Sequence, residues 1–333
     1  MNEASTQTDL SEWIPVTGGT RLFLRRWAAQ KTASPEGALK GGEEKPKAAL
    51  HIVHGMAEHS LRYEALARRL NAAGIEVWAA DQRGHGLTAD LRVNDAGSGG
   101  LLGHCADKDG IALSASDVDA VNRLIRERRP GVPLFLMGHS WGSFVVQNYI
   151  ENYPGGLEGC ILSGTRGPDG FKVKAGAKAM ALIAALRGIR KGSTLSWAIA
   201  NGPYNKHFRP NRTFFDWLSR DEQAVDGFIA DPLCGKLCSS GFYRDLLALL
   251  NRIHRSEAMD NIDRHLPIYV FGGSADPVGD MGSSPTALVD AYRAIGIQDL
   301  EFVLYPDARH ETLNETNREE VTENLLSWIL KHL

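Results

Sequence analysis

Cysteine is scarce in this chain. Cys105, Cys160, Cys234 and Cys238 are the four in 333 residues. They are too few for a disulfide framework, and the C-x3-C spacing of the last two matches no metal signature. A surplus of charge of one sign is missing as well. The 37 Lys and Arg against 40 Asp and Glu leave a net −3, which excludes a general nucleic-acid binder with a basic face. No run of 18 apolar residues occurs, so no membrane-spanning helix is expected. The start of the chain carries Glu3, Asp9 and Glu12 and no apolar core, so a signal peptide is not expected and the protein reads as cytoplasmic. Proline, at 14, is unexceptional, whereas the 35 glycines are about one residue in ten against a usual ~7%. Extra glycine without extra proline points to many tight turns.

The order of elements follows from the pattern of apolar residues. The polar start, to about Ser11, is expected to fray. Trp13–Val16 and Arg21–Trp27 read as strands around Thr17-Gly18-Gly19-Thr20, and the Gly/Lys/Glu-rich Lys31–Lys47 reads as a solvated loop. Short apolar runs then recur at Ala48–Val53, Ile75–Ala80, Leu134–Met137, Cys160–Leu162, Ile268–Phe271 and Phe302–Tyr305. Runs without alternation suit strands buried on both faces. Helical patterns lie between them at Tyr63–Ala73, Ser114–Arg128, Phe144–Asn152, Phe242–His254, Thr286–Ala294 and Glu319–Leu330. This alternation predicts an α/β protein with a mostly parallel sheet and helices on both faces. Between Ser163 and about Ser240 only helix-like segments appear. The expected division is a core at 1–164, an inserted helical cap at 165–240, and the rest of the core at 241–333.

One strand runs into Gly138-His139-Ser140-Trp141-Gly142, and a helical pattern leaves it. G-x-S-x-G in that context is a nucleophile elbow, which makes Ser140 the candidate nucleophile. A serine hydroxyl needs a base, and the base needs an orienting group; after such an elbow the chain order is serine, acid, histidine. Asp276 follows the strand Ile268–Phe271 and His310 follows the strand Phe302–Tyr305, both in loops past strand ends, where open α/β sheets gather ligands. Asp169 is a second possible acid. Two backbone amides are needed for the oxyanion, and the candidates are those of Met56, after the strand Ala48–Val53, and Trp141. His54 and His59 stand in an H-x3-E-H spacing, one residue longer than the H-x-x-E-H zinc pattern, and Gly55 opposes a helix there. No metal and no cofactor are expected. Asp81-Gln82-Arg83-Gly84-His85-Gly86 reads as a structural loop in which Asp81 and Arg83 bond the backbone.

With those residues in hand, the chain resembles the α/β-hydrolases of the monoacylglycerol lipase/lysophospholipase group, which sequence classifications also place with serine aminopeptidases. The resemblance spans about residues 13–333. Beyond the elbow it rests on HGMAEHSLRYEALARRL (54–70), DQRGHG (81–86), ILSGT (161–165), DPLCG (231–235), GSADPVG (273–279) and RHETLNE (309–315). It implies an α/β-hydrolase fold, a triad of Ser140, Asp276 and His310, an oxyanion hole of the Met56 and Trp141 amides, and a cap after ILSGT that shapes an acyl pocket. The implied activity is carboxylic-ester hydrolysis of a small lipid-like acyl ester through an acyl-enzyme. An aminopeptidase-type peptidase is the rival on the same fold, and a non-catalytic ligand receptor is the rival from another class. Trp141 stands where methionine is common and Ser143 where glycine often follows, so a bulky indole is expected to shorten the pocket.

The segment Phe171–Gly202 contains Lys172, Lys174, Lys178, Arg187, Arg190 and Lys191 and no acid, around the apolar run Ala179–Leu186. Such a segment suits transient docking on a lipid surface, but the preferred reading is a helix packed on the core with solvated lysines. The sequence does not fix an oligomeric state.

Overall fold

Every short apolar run read from the sequence forms a strand in the computed structural model, which describes residues 9–30, 45–89, 101–168 and 170–333. The strands are β1 (Asp9–Pro15), β2 (Arg21–Trp27), β3 (Ala48–Val53), β4 (Ile75–Ala80), β5 (Leu134–His139), β6 (Gly159–Ser163), β7 (Ile268–Gly273) and β8 (Leu300–Tyr305). They form one eight-stranded sheet in the order β1-β2-β4-β3-β5-β6-β7-β8. The β1–β2 and β2–β4 pairings are antiparallel, and all others are parallel. β3 to β7 are buried along their whole length. That is why they read as continuous apolar runs instead of alternating ones.

The helices are α1 (Glu64–Ala72), α2 (Gly86–Ala89), α3 (Gly110–Arg128), α4 (Trp141–Asn152), α5 (Gly170–Arg187), α6 (Thr194–Ala200), α7 (Glu222–Ala230), α8 (Ser240–Ile253), α9 (Ser256–Met259), α10 (Ser283–Ala294) and α11 (Arg318–Lys331). Successive strand side chains point to opposite faces, and each face has its own helical cover. Leu136, Leu162 and Val270 pack with Tyr149 of α4, Leu249 of α8 and Leu288 of α10. Phe135, Met137, Ile161 and Phe271 pack on the other side with Leu66 and Leu70 of α1 and Leu325 and Trp328 of α11. Val121 and Ile125 of α3 extend the first cover over Ala49, Trp78 and Leu134.

Some expectations change. Asp9–Ser11 do not fray; they pair with Trp27–Arg25 as the first rungs of β1. β8 starts at Leu300, two residues early, because an edge strand is only half-buried and Glu301 is tolerated there. Most of the expected Lys31–Lys47 loop and Asp169 lie outside the described residues. Among the described residues of 164–240 the regular elements are helices α5 to α7 and a 3-10 turn at Tyr204–Phe208, with an isolated bridge between Gly192 and Ser239. No helix among the described residues is long and apolar enough to cross a membrane. Because β3, β5, β6, β7 and β8 run parallel, the loops that follow them all emerge at one edge of the sheet. The candidate residues sit in those loops.

Candidate active site

Ser140 occupies the turn between β5 and α4 with φ 51° and ψ −122°. A side chain other than glycine seldom adopts positive φ, and such strain is characteristic of a nucleophile elbow. The turn closes tightly. A Cβ on Gly138 would lie 2.5 Å from the Gly142 carbonyl oxygen, and one on Gly142 would lie 2.0 Å from that of Val53. Both flanking glycines of the motif are therefore steric requirements. The Ser140 amide donates to Ser163 O at 2.9 Å. The Ser143 hydroxyl donates to Ser140 O at 2.6 Å and lies 2.8 Å from Thr165 Oγ1, so the serine that departs from the family pattern braces the elbow.

His310 is 2% exposed, and its Nδ1 lies 2.9 Å from Asp276 Oδ2. A carboxylate only accepts, so Nδ1 carries the proton and Nε2 presents its lone pair. The other Asp276 oxygen accepts the Val278 amide at 2.8 Å, which fixes the carboxylate. The imidazole lies between the His139 ring, 4.9 Å away, and the Trp217 indole, 5.2 Å away. Burial opposes a charge on His310, but the Asp276 charge and hydrogen bond outweigh it and raise its pKa above the usual 6.5. His139 moves the opposite way, to about 4, through burial and the neighbouring His310.

Ser140 and His310 line one solvent-open cleft, about 510 Å³ with the solvent at its opening included, with Gly55, Met56 and Ala57 on one wall. A Cβ on Gly55 would lie 3.3 Å from Ser140 Cβ, which places the loop after β3 directly against the serine. Trp141 opens α4, where a helix amide has no intrahelical acceptor. Neither its amide nor that of Met56 has a hydrogen-bond acceptor among the described residues. Trp217, Trp197, Phe215, Phe228 and Tyr243 supply the apolar walls. The Trp141 indole is not among the lining groups; it is buried against Phe242 at 5.0 Å, so the expected shortening of the pocket by this residue is not found. No motif marked the aromatic walls, since isolated aromatics in helical sequence read as core.

A buried ion network fastens the loops and was also missed. The Gly55 amide donates to Glu58 Oε1, which also accepts Tyr63 OH at 2.9 Å. Arg62 donates to Glu58 Oε2 at 2.6 Å and to both oxygens of Glu311 at 2.6 Å. Burial works against the Glu58 charge, yet Arg62 and the nearby histidines hold its pKa down at about 2. The traces in the sequence were the four-residue spacing of Glu58 and Arg62 and the acid directly after His310. Asp81 accepts the Ser60 amide at 2.8 Å and the Leu87 amide at 2.7 Å, while Arg83 donates to Thr17 O at 2.6 Å and to both Asp117 oxygens. That loop is structural, as read. Two groups among the described residues bring metal-ligand atoms within 4.8 Å of one another, His59/Asp231/Cys234 and Asp299/Glu301/His332, and neither lines the cleft.

A parallel sheet carrying an elbow serine, with an acid and a histidine in the loops after later strands, defines the class: this is an α/β-hydrolase fold. The same architecture recurs in a thermostable carboxyl esterase from Bacillus coagulans, solved in complex with glycerol (TM-score 0.84, 25% identity, 98% of this chain and 99% of that one). It recurs in the monoacylglycerol lipase of Paleococcus ferrophilus (TM-score 0.66, 24% identity, 94% and 99%). A monoacylglycerol lipase of Mycolicibacterium smegmatis is 29% identical over 293 residues, 86% of this chain and 90% of the relative. The human monoglyceride lipase is 29% identical over 274 residues, 79% and 72% of the two chains. The family model for serine aminopeptidase S33 (Hydrolase_4) matches residues 44–317. The chain belongs to that family and is a hydrolase of the serine-hydrolase type.

Proposed function

We propose that the protein is a carboxylic-ester hydrolase acting on lipid-like acyl esters, monoacylglycerols or lysophospholipids, through an acyl-enzyme on Ser140. His310 Nε2 takes the Ser140 proton as the hydroxyl attacks the ester carbonyl. Asp276 holds the tautomer and supports the imidazolium that forms. The Met56 and Trp141 amides receive the oxyanion. His310 then returns the proton to the leaving alcohol, and water repeats the sequence on the acyl-enzyme. Segment 165–240 acts as a cap, and its Trp197, Phe215, Trp217 and Phe228 give the acyl chain an apolar wall. The observation that carries this reading is the buried His310–Asp276 hydrogen bond beside an elbow serine in an aromatic cleft. The named activities of the lipase and esterase relatives support the same substrate class.

The peptidase reading needs a free carboxylate or an array of carbonyls for a substrate amine. Glu58 and Glu311 line the cleft but are both committed to Arg62, and the exposed charge at its mouth is Lys236. The receptor reading leaves the Ser140/Asp276/His310 set without a purpose. A hydrolysis panel separates the three: p-nitrophenyl esters of graded chain length, monoacylglycerol, lysophosphatidylcholine and aminoacyl-anilides. Medium- and long-chain esters should turn over and anilides should not. Preferential anilide cleavage would establish the peptidase, and silence across the panel would leave the receptor.

A further inference from the structure

Outside the cleft, loops far apart in sequence bring three side chains of contrasting chemistry together. His59 closes the loop after β3, while Asp231 and Cys234 lie in the turn after α7. His59 Nε2 is 2.8 Å from Asp231 Oδ2, and the imidazole nitrogen, carboxylate oxygen and Cys234 Sγ all lie within 4.8 Å of one another. His59 and Cys234 are each 4% exposed, whereas the Asp231 side chain is 30% exposed and leaves a path from solvent. One nitrogen, one oxygen and one sulfur ligand is a donor set suited to Zn²⁺ and its borderline neighbours. Burial opposes any charge at Cys234, and the charged groups around it, Arg62, Glu58, Asp231 and Glu311, three carboxylates against one guanidinium, offset part of that cost for a dication.

We propose that His59, Asp231 and Cys234 form a three-ligand site for a Zn²⁺-type divalent cation that slows turnover when bound. Binding releases the Cys234 thiol proton to solvent, shifts the His59 proton from Nε2, where it faces Asp231, to Nδ1 so that Nε2 can ligate, and leaves a thiolate–metal bond. Tetrahedral coordination with bonds of about 2.0–2.3 Å sets ligand atoms roughly 3.3–3.8 Å apart. His59 and Asp231, now 2.8 Å apart, must therefore separate to admit the ion. The two loops are already joined by the Gly235 amide, which donates to Ala57 O at 2.9 Å, and Met56, Ala57 and Gly235 all line the cleft. A cation there ties the cap turn to the oxyanion loop and displaces it, and a shift of ~1 Å at a catalytic group costs about 100-fold in rate.

The test is a Co²⁺ titration of the full-length protein after chelator treatment, followed by absorption spectroscopy, with a parallel Zn²⁺ titration of short-chain p-nitrophenyl ester turnover. Wild type should bind a single Co²⁺ with a sulfur-to-metal charge-transfer band, and Cys234→Ser should lose the band while keeping its metal-free turnover. His59→Gln should weaken binding roughly 10-fold or more, since even outer partners of a ligand are worth 10–100-fold. Asp299→Asn, in the sulfur-free group at the C-terminus, should keep the band. Zn²⁺ should inhibit wild type at least about 10-fold, a chelator should restore it, and Cys234→Ser should resist. An absent band, or one that survives in Cys234→Ser, overturns the site. A metal-loaded protein with unchanged turnover overturns the inhibition. The inhibitory half rests on the ester-hydrolase reading but the spectrum does not, so failure of that reading shows as inactivity with the band intact.

Discussion

At the scale of single residues the proposed chemistry depends on one proton position. His310 must be neutral to act as base, and its interaction with Asp276 raises its pKa above 6.5. The ascending limb of kcat/KM against pH should therefore lie above 6.5, and a limb below it would contradict the pairing. Asp276→Asn keeps the shape but no longer favours the Nδ1–H tautomer. By analogy with the same change in serine proteases it should cost about 10⁴ in kcat. A near-normal Asp276→Asn enzyme would mean that another acid, with Asp169 the first to examine, serves the histidine. Glu58 adds a stability term of defined sign. Its folded pKa, at about 2, lies below the ordinary 4.5, so its contribution is complete above about 4.5 and disappears as acid takes the pH down through 2. Glu58→Gln should flatten acid unfolding over that window, as followed by circular dichroism.

At the scale of elements, the parallel core was legible because strands buried on both faces leave apolar runs and the intervening helices carry amphipathic spacing. β5 extends to His139 because Gly138 and His139 still pair with Val53 and Ser163. The sequence read it as ending at Met137, since glycine and histidine carry little strand signal. Ser140, Asp276 and His310 stand out in the sequence as candidates because each follows a strand end; the cleft walls do not. Trp197 and Trp217 acquire their place only through the packing of α6 and the turn before α7, and Arg62 shows its role only once Glu311 is brought across 249 residues. One element carries an unresolved cost. Glu151 of α4 is buried, neither carboxylate oxygen has a partner among the described residues, and burial raises its pKa to about 9. The unfolded chain ionises near 4.5 while the folded one does not, so stability falls as pH rises from about 4.5 toward 9. Glu151→Leu should remove that slope, at most ~1.4 kcal/mol per pH unit, and stabilise the protein at pH 8. Urea unfolding at pH 5 and pH 8 checks this; parallel losses in the two proteins would show that Glu151 is not the cause.

At the scale of the whole molecule, α5 packs against α8 by burying Met180 and Ala184, while Leu182 and Leu186 stand 61% and 76% exposed. Lys174 and Lys178 flank Leu182 on that side of α5, Arg187 is exposed at its C-terminal end, and Arg190 is tied to Asp107. Docking of this face on a lipid surface, against a helix merely packed on the core with solvated cations, has a direct test. Each cation near an anionic surface is worth up to ~1 kcal/mol, screened over roughly 8 Å at physiological salt. Monoacylglycerol in anionic vesicles should be hydrolysed faster than in neutral ones, with the difference shrinking as salt rises. Charge reversal of Lys174, Lys178 and Arg187 to Glu should abolish the preference and spare a soluble short-chain ester. Equal rates on both vesicles at low salt would reduce α5 to a packed helix with solvated cations.

Covalent labelling by a fluorophosphonate, mapped by peptide mass spectrometry, addresses the central claim directly. An activated serine attacks that phosphorus as it would an acyl carbonyl. The account predicts a single adduct on Ser140, with labelling and ester turnover both lost in Ser140→Ala. An adduct on another serine, or labelling and turnover that persist in Ser140→Ala, would contradict it.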